Sequence, residues 1–303
     1  MFSKIVKHID KIVVFFAFFV LSVSFYHTYS LNIFYKKSEL IKTLDKGLLL
    51  AKNILEDDKR RAMSLSLLIS QDMEFLKSFY AGDRRAAFDT INKKAKILDT
   101  IERYPVEVQV HDKNSNCYLR SWDYNLTNIP LASFRKGVVL VKETRRPLVS
   151  IEVGKRLNIK AISPILKNRE FEGSVEVIEG FGHLREKLLE HGYSMFIILN
   201  KKFLPIASSL KNHKIIQNRF ILVNEVYEKN GLNALKNSDL SLLGSYGYFS
   251  KDNFSFGYFA IKNLNNESIG YSIISAQNRD SNYLINYHQN SSVEHSKSGI
   301  LIR

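Results

Sequence analysis

From Ile12 to Tyr35 the chain carries no Asp, Glu, Lys or Arg, and the stretch IVVFFAFFVLSVSF is almost wholly apolar. About 20 such residues cross a bilayer as one helix. Lys4, Lys7 and Lys11 precede the run; Tyr26, Tyr29, Phe34 and Tyr35 close it ahead of Lys36 and Lys37. The positive charge on the N-terminal side predicts a cytoplasmic N-terminus, and the aromatic residues form a belt at the far interface. The apolar run is long and no small-x-small site comes after it, so an uncleaved anchor is expected rather than a signal peptide. This divides the start of the chain into a cytoplasmic segment, 1–11, and a transmembrane helix, 12–35, with the remainder extracytoplasmic.

The pattern then becomes helical. Leu40, Leu44, Leu48, Ala51, Leu55, Ala62, Leu65, Ile69, Met73 and Leu76 recur at steps of three, four or seven. Such spacing makes one apolar stripe along a long amphipathic helix, with EDDKRR at 56–61 on its wet side. The stripe is expected to cover a sheet, with a homodimer seam as the alternative use. Gly82 and Asp83 predict a break and a fresh N-cap, and a second helix runs to about Thr100, closed by Tyr104-Pro105.

From Val106 the period is two. VEVQVHD (106–112), the turn residues KNSN and CYLRSWDY (117–124) predict a hairpin. A helix over 130–146 stops before Pro147, and three strands come next at 148–154, 157–165 and 172–181, with turns at Gly154-Lys155 and Asn168-Arg169. A short helix leads to a second unit that repeats this order in reduced form. It has a strand at 194–200, a mixed middle, a hairpin about Lys251-Asp252-Asn253 and a last strand at 268–276. The fold class is therefore α/β: a transmembrane helix, a long extracytoplasmic helix and two PAS-like modules of antiparallel sheet. Residues 36–193 hold the long helix and the first module, 194–276 the second, and 277–303 read as a polar tail.

Charge and composition remove alternatives. The formal charge of +14 would suit nucleic acid, but Lys and Arg are scattered and no nucleic-acid motif appears, so no nucleic-acid partner is expected. The single cysteine, Cys117, excludes an internal disulfide and any Cys-based metal cluster. The histidines fall at no ligand spacing, and no nucleophile elbow or phosphate loop is present. The expectation is a protein that is not an enzyme, with no metal and no cofactor.

The candidate chemistry lies in CYLRSWDY. A regular strand there would place Tyr118, Arg120, Trp122 and Tyr124 on one face. A guanidinium gives a carboxylate two parallel hydrogen bonds, and an indole beside it can stack or exclude water. The alternative is that Arg120 pairs internally with Glu152 or Glu176. Those two acids sit on central strands among Val and Ile, where acids are seldom buried unless paired or functional. Asp123, at the strand end, would receive a ligand ammonium or cap the next turn. Arg135, in the first turn after Pro130, would reach over the pocket or be solvated. Lys160, between Ile159 and Ala161, is expected to face solvent.

The stretch from His111 to Phe181 resembles the double Cache sensor domains of bacterial chemoreceptors, sensor kinases and cyclic-dinucleotide enzymes. The residues that carry the likeness are Leu119 to Asp123, Phe134-Arg135, Val141, Arg146-Pro147, Glu152 to Gly154, Ile162, Pro164-Ile165, Gly173, Val175-Glu176 and Gly180-Phe181. The resemblance implies a bacterial inner-membrane sensor with a small ligand in the distal module, from among amino acids, amines and organic acids. Many amino-acid-binding members have a similar Arg-x-Trp pair followed by Tyr, where this chain has Asp123. It also implies a second transmembrane helix near Ala276 and an output domain; this sequence contains neither, so output is expected outside the chain. A membrane-tethered scaffold that docks a partner protein, without a small ligand, is the second functional reading.

Overall fold

The computed structural model describes residues 2–101, 104–277, 285–289 and 301–302 of the chain. Helix α1 (Phe2–Ser70) runs unbroken from the apolar segment into the body of the protein. Val13, Phe15, Phe16, Phe18 and Phe19 are exposed along it. Among the described residues it is the one helix long and apolar enough to cross a membrane.

The amphipathic stripe ends sooner than the sequence pattern predicts. Asp72 accepts the Phe75 amide at 2.9 Å and starts a separate helix, α2 (Met73–Tyr80), which leaves Met73 exposed. A side-chain oxygen that satisfies an orphan amide is enough to restart a helix. The break at Gly82-Asp83 is as expected: Gly82 has φ +72° and Asp83 accepts the Ala86 amide, opening α3 (Arg84–Ile101).

The distal module contains β1 (Glu107–Asp112), β2 (Cys117–Arg120), α4 (Lys136–Thr144), β3 (Leu148–Val153), β4 (Leu157–Lys167) and β5 (Glu170–Glu179). Helix α5 (Gly182–Glu190) links it to the proximal module. That module comprises β6 (Ser194–Asn200), β7 (Ile215–Ile216), β8 (Phe220–Leu222), α6 (Lys229–Lys236), β9 (Tyr246–Lys251), β10 (Phe254–Lys262) and β11 (Ser268–Gln277). The segment read as a polar tail contributes β12 (Asn286–Gln289) to the proximal sheet and β13 (Leu301–Ile302) to the distal one. The distal order is β13-β3-β4-β5-β1-β2 and the proximal order β12-β9-β10-β11-β6-β8-β7; only the β13–β3 pair is parallel among the described strands.

Helix α1 backs both sheets. Leu44 and Leu48 pack where β10 keeps Gly257; a Cβ there would lie only 3.0–3.5 Å from the two leucine side chains. Farther along, Ala62 and Met63 meet the β4–β5 surface, and the Ser66 hydroxyl donates to the Val175 carbonyl at 2.9 Å. The stripe therefore covers sheet. EDDKRR is not wholly on a wet face: Asp58 and Lys59 are buried. Asp58 meets His183 of α5 at 2.7 Å and Arg61 at 3.4 Å, which fastens the long helix to the inter-module linker. The two modules also meet where Leu264, in the β10–β11 turn, packs with Val138, Val141, Leu148 and Ile162 under α4.

The sheet faces turned away from α1 differ between the modules. The proximal one is closed with Phe196, Phe220, Phe249, Phe256, Tyr258 and Ile273 against Leu232 and Leu235 of α6. The distal one carries charge.

Candidate functional site

Pairing across the distal sheet sets Arg120 opposite Gln109, Gln109 opposite Glu176, Lys160 opposite Ser150, and Glu152 opposite Asn158. All of these side chains and His111 are buried. Val108, Val110, Val175, Val177, Ile159 and Ala161, the alternating residues of the same strands, fill the α1 side. Central strands covered on both faces give polar alternation without solvent.

Of the aromatic–Arg face expected in CYLRSWDY, only Arg120 points into this cluster from β2. The strand is four residues long, and a bulge opposite Val110 and His111 pairs Cys117 with His111 and leaves Tyr118 unpaired. An extra residue in one strand re-aims the side chains beyond it. Tyr118 instead packs edge-on to Phe79 of α2 at 5.2 Å, on the helix side. Tyr124 lies under Arg84 at 4.2 Å and against Phe88 at 4.9 Å, both on α3. Just past the strand Ser121 still holds β1 twice, its amide donating to the Val108 carbonyl at 2.8 Å and its hydroxyl accepting the Val108 amide at 3.0 Å. Trp122 is 44% exposed, with the Arg120 guanidinium 5.6 Å from its ring centre. Asp123 accepts the Asn125 amide at 3.0 Å and so caps the turn.

The loop from 121 to 135 folds back along the open edge of β2. The Cys117 amide donates to the Ile129 carbonyl at 2.9 Å, and the Asn128 amide donates to the Cys117 carbonyl at 2.7 Å. The loop delivers Arg135, at the N-cap of α4, over the middle of the sheet. The expected helix over 130–146 is thus shorter, because residues 131–135 form the turn that aims this arginine. Arg135 is not solvated: it is 4% exposed. Its Nη2 donates to Glu176 and its Nε lies 3.6 Å from Glu152, without a hydrogen bond. Ser150 donates to the other Glu152 oxygen at 2.7 Å. Gly137 is required beside this pair, since a Cβ there would fall on the Glu152 carboxylate.

Arg120 has a different partner from either acid proposed for it. Its Nε donates to Gln109 Oε1 at 2.7 Å; Gln109 Nε2 lies 2.8 Å from His111 Nε2, and His111 Nδ1 lies 2.8 Å from the Ser174 hydroxyl. Burial lowers the His111 pKa, with Glu176 opposing, which keeps the imidazole neutral. Burial also opposes ionisation of Glu176, but Arg135, His111 and Lys160 outweigh it and hold its carboxyl well below the usual range. Gln109 and His111 are members of the site that sequence reasoning misses, although VEVQVHD places both on the face that Glu107 begins.

Lys160 is the clearest correction. It is 3% exposed rather than solvent-facing. Burial first, then Arg135, brings its pKa down from 10.5 to about 8. Among the described residues, no carboxylate lies within ion-pair distance of Lys160 or Arg120. The distal face thus sets three cations, Arg120, Arg135 and Lys160, against two carboxylates, both held by Arg135. No group of three or more His, Cys, Asp or Glu suited to a metal ion occurs among the described residues.

The family model described as a double sensory domain of two-component sensor kinases matches residues 37–275. No curated protein matches. Among solved structures, the sensor domain of the Vibrio cholerae histidine kinase DctB is 12% identical, covering 80% of this chain and 97% of that one at a TM-score of 0.44. A domain of a sensory box/GGDEF family protein from Vibrio parahaemolyticus is 10% identical, covering 79% and 97% at 0.46. The ligand-binding domain of the Campylobacter jejuni chemoreceptor Tlp3, in complex with L-valine, is 13% identical, covering 79% and 93% at 0.45.

Proposed function

The chain belongs to the double Cache family of sensory domains, and from that premise we propose that it is a single-pass, membrane-anchored sensor that binds a small carboxylate-bearing metabolite in its distal module. The helix spanning 12–35 sits in the bacterial inner membrane, with Lys4, Lys7 and Lys11 on the cytoplasmic side and both modules outside the cytoplasm. The observation that supports the ligand most is Arg120. It is buried at the end of the polar face and held by a neutral amide, so its guanidinium remains available to an acid. Among the described residues the proximal module, closed with aromatic side chains, offers no comparable face.

Arg120→Ala should leave the melting temperature close to wild type, because no carboxylate is stranded by its loss. It should lower ligand affinity roughly ten- to hundredfold, the worth of one charge-assisted bond at about 1.5–3 kcal/mol. The measurement is a thermal-shift screen of the full chain in detergent with amino acids, amines and organic acids. A ligand at a hundredfold its dissociation constant adds about 2.7 kcal/mol.

One observation favours the second reading, a tethered scaffold that docks a protein. Arg135 sits against both acids, hydrogen-bonded to Glu176 and 3.6 Å from Glu152, so the centre of the face can close on itself. A screen in which no compound moves the melting temperature would select that reading.

A further inference from the structure

The two cations of the distal face that lack an ion-pair partner say more about the ligand than the presence of an arginine does. A carboxylate at Arg120 is compatible with an amino acid, an amide or a simple organic acid. These classes differ in whether an ammonium group must also be housed. Both acids that could receive one, Glu152 and Glu176, are engaged by Arg135. Glu152 takes Ser150 as well, and Glu176 takes His111 at 3.3 Å. Lys160 stands on β4, beside the strand that carries Glu176, and its Nζ lies against Gly154 in the turn that joins β3 to β4.

We propose that the site takes an organic anion without an ammonium group, and that Lys160 is the residue that imposes this preference. The inference rests on the reading of the distal module as a ligand site. With His111 neutral, the described cluster carries one positive charge in excess, which a monoanion neutralises. A zwitterion would leave that excess in place and add a second buried ammonium near Lys160 and Arg135. Like charges so close in a water-poor interior repel strongly. A buried lysine without an ion-pair partner is costly to keep, and groups kept at such cost cluster at functional sites.

The test uses matched monocarboxylate pairs that differ in the amino group: lactate with alanine, 3-methyl-2-oxobutanoate with valine, and 3-phenylpropanoate with phenylalanine. Titrations of the full chain in detergent at pH 8 read affinity and, in two buffers of different ionisation enthalpy, proton exchange. The expected result is at least a tenfold preference for the acid lacking the amino group in the pair that binds. It is accompanied by uptake of about half a proton, because the anion returns Lys160 from its half-titrated state to full charge. Lys160→Gln should shrink the preference within the pair while the protein remains folded, an effect that a purely structural lysine would not produce. Tighter binding of the amino partner, or an unchanged preference in Lys160→Gln, overturns the inference and leaves the ligand site standing. No binding by any compound at all would instead remove the reading on which it rests.

Discussion

Arg135→Met will unfold more easily than wild type by about 3–5 kcal/mol, the usual cost of removing one partner from a buried ion pair. Arg135 is the sole cation within 4 Å of Glu176 among the described residues, apart from the neutral His111, and it is the one beside Glu152. Its removal leaves two carboxylates buried together. Arg135→Met/Glu176→Gln should recover a large part of the loss, since the amide keeps the shape without the charge. The measurement is denaturant unfolding of the variants beside wild type. A single variant as stable as the parent would mean that the cluster opens to water. The same pair fixes the acid limit. The folded-state pKa of Glu176 is depressed below its ordinary 4.5, so its contribution is present above that pH and is lost progressively as the pH falls below it. The Arg135→Met variant should lack this part of the acid transition.

Lys160→Met has the opposite sign. The lysine titrates at about 8 in the folded protein against 10.5 ordinarily. That difference corresponds to about 3 kcal/mol by which the buried ammonium weakens the fold at pH 7. Methionine fills a similar volume without charge, so the variant should melt several degrees higher. In wild type, stability should rise between pH 8 and 10.5, where the unfolded chain holds the proton and the folded chain does not; in Lys160→Met that rise should disappear. A lower melting temperature for the variant would show that the ammonium is satisfied in the fold. A more stable variant with weaker anion binding is the signature of a group retained for function at the expense of stability.

Arg135 and Lys160 are both open to a solvated reading from sequence, and the reason is the same for each. Alternation tells which residues share a face of a strand, but not whether something covers that face. Here β4 and β5 have α1 on one side and the 121–135 loop with α4 on the other, so a polar residue at every second position is buried as deeply as its apolar neighbours. Glu152 and Glu176 are legible because an acid among Val and Ile on a central strand needs a partner wherever it points. The partner itself, Arg135, is not, because it arrives from a turn whose path depends on pairing with the edge of β2.

Local chemistry did determine a good deal without help. The charge-free run at 12–35, the Gly82-Asp83 break, the left-handed Asn168-Arg169 turn with φ +51° and +67°, and the repeated order of strands and helices in the two modules all come from periodicity, caps and turn residues. These depend on contacts a few residues apart. The features that only the tertiary structure decided depend on contacts between distant segments: the bulge that turns Tyr118 toward Phe79, the capture of Tyr124 by Arg84, and the drawing of Asp58 under α5. The same holds for Gln109 and His111, brought together with residues of β5 that lie far along the chain. A one-residue change of strand register moves a side chain to the other face of the sheet, and that register is set by which strands meet and where they bulge, not by the order of residues within any one of them.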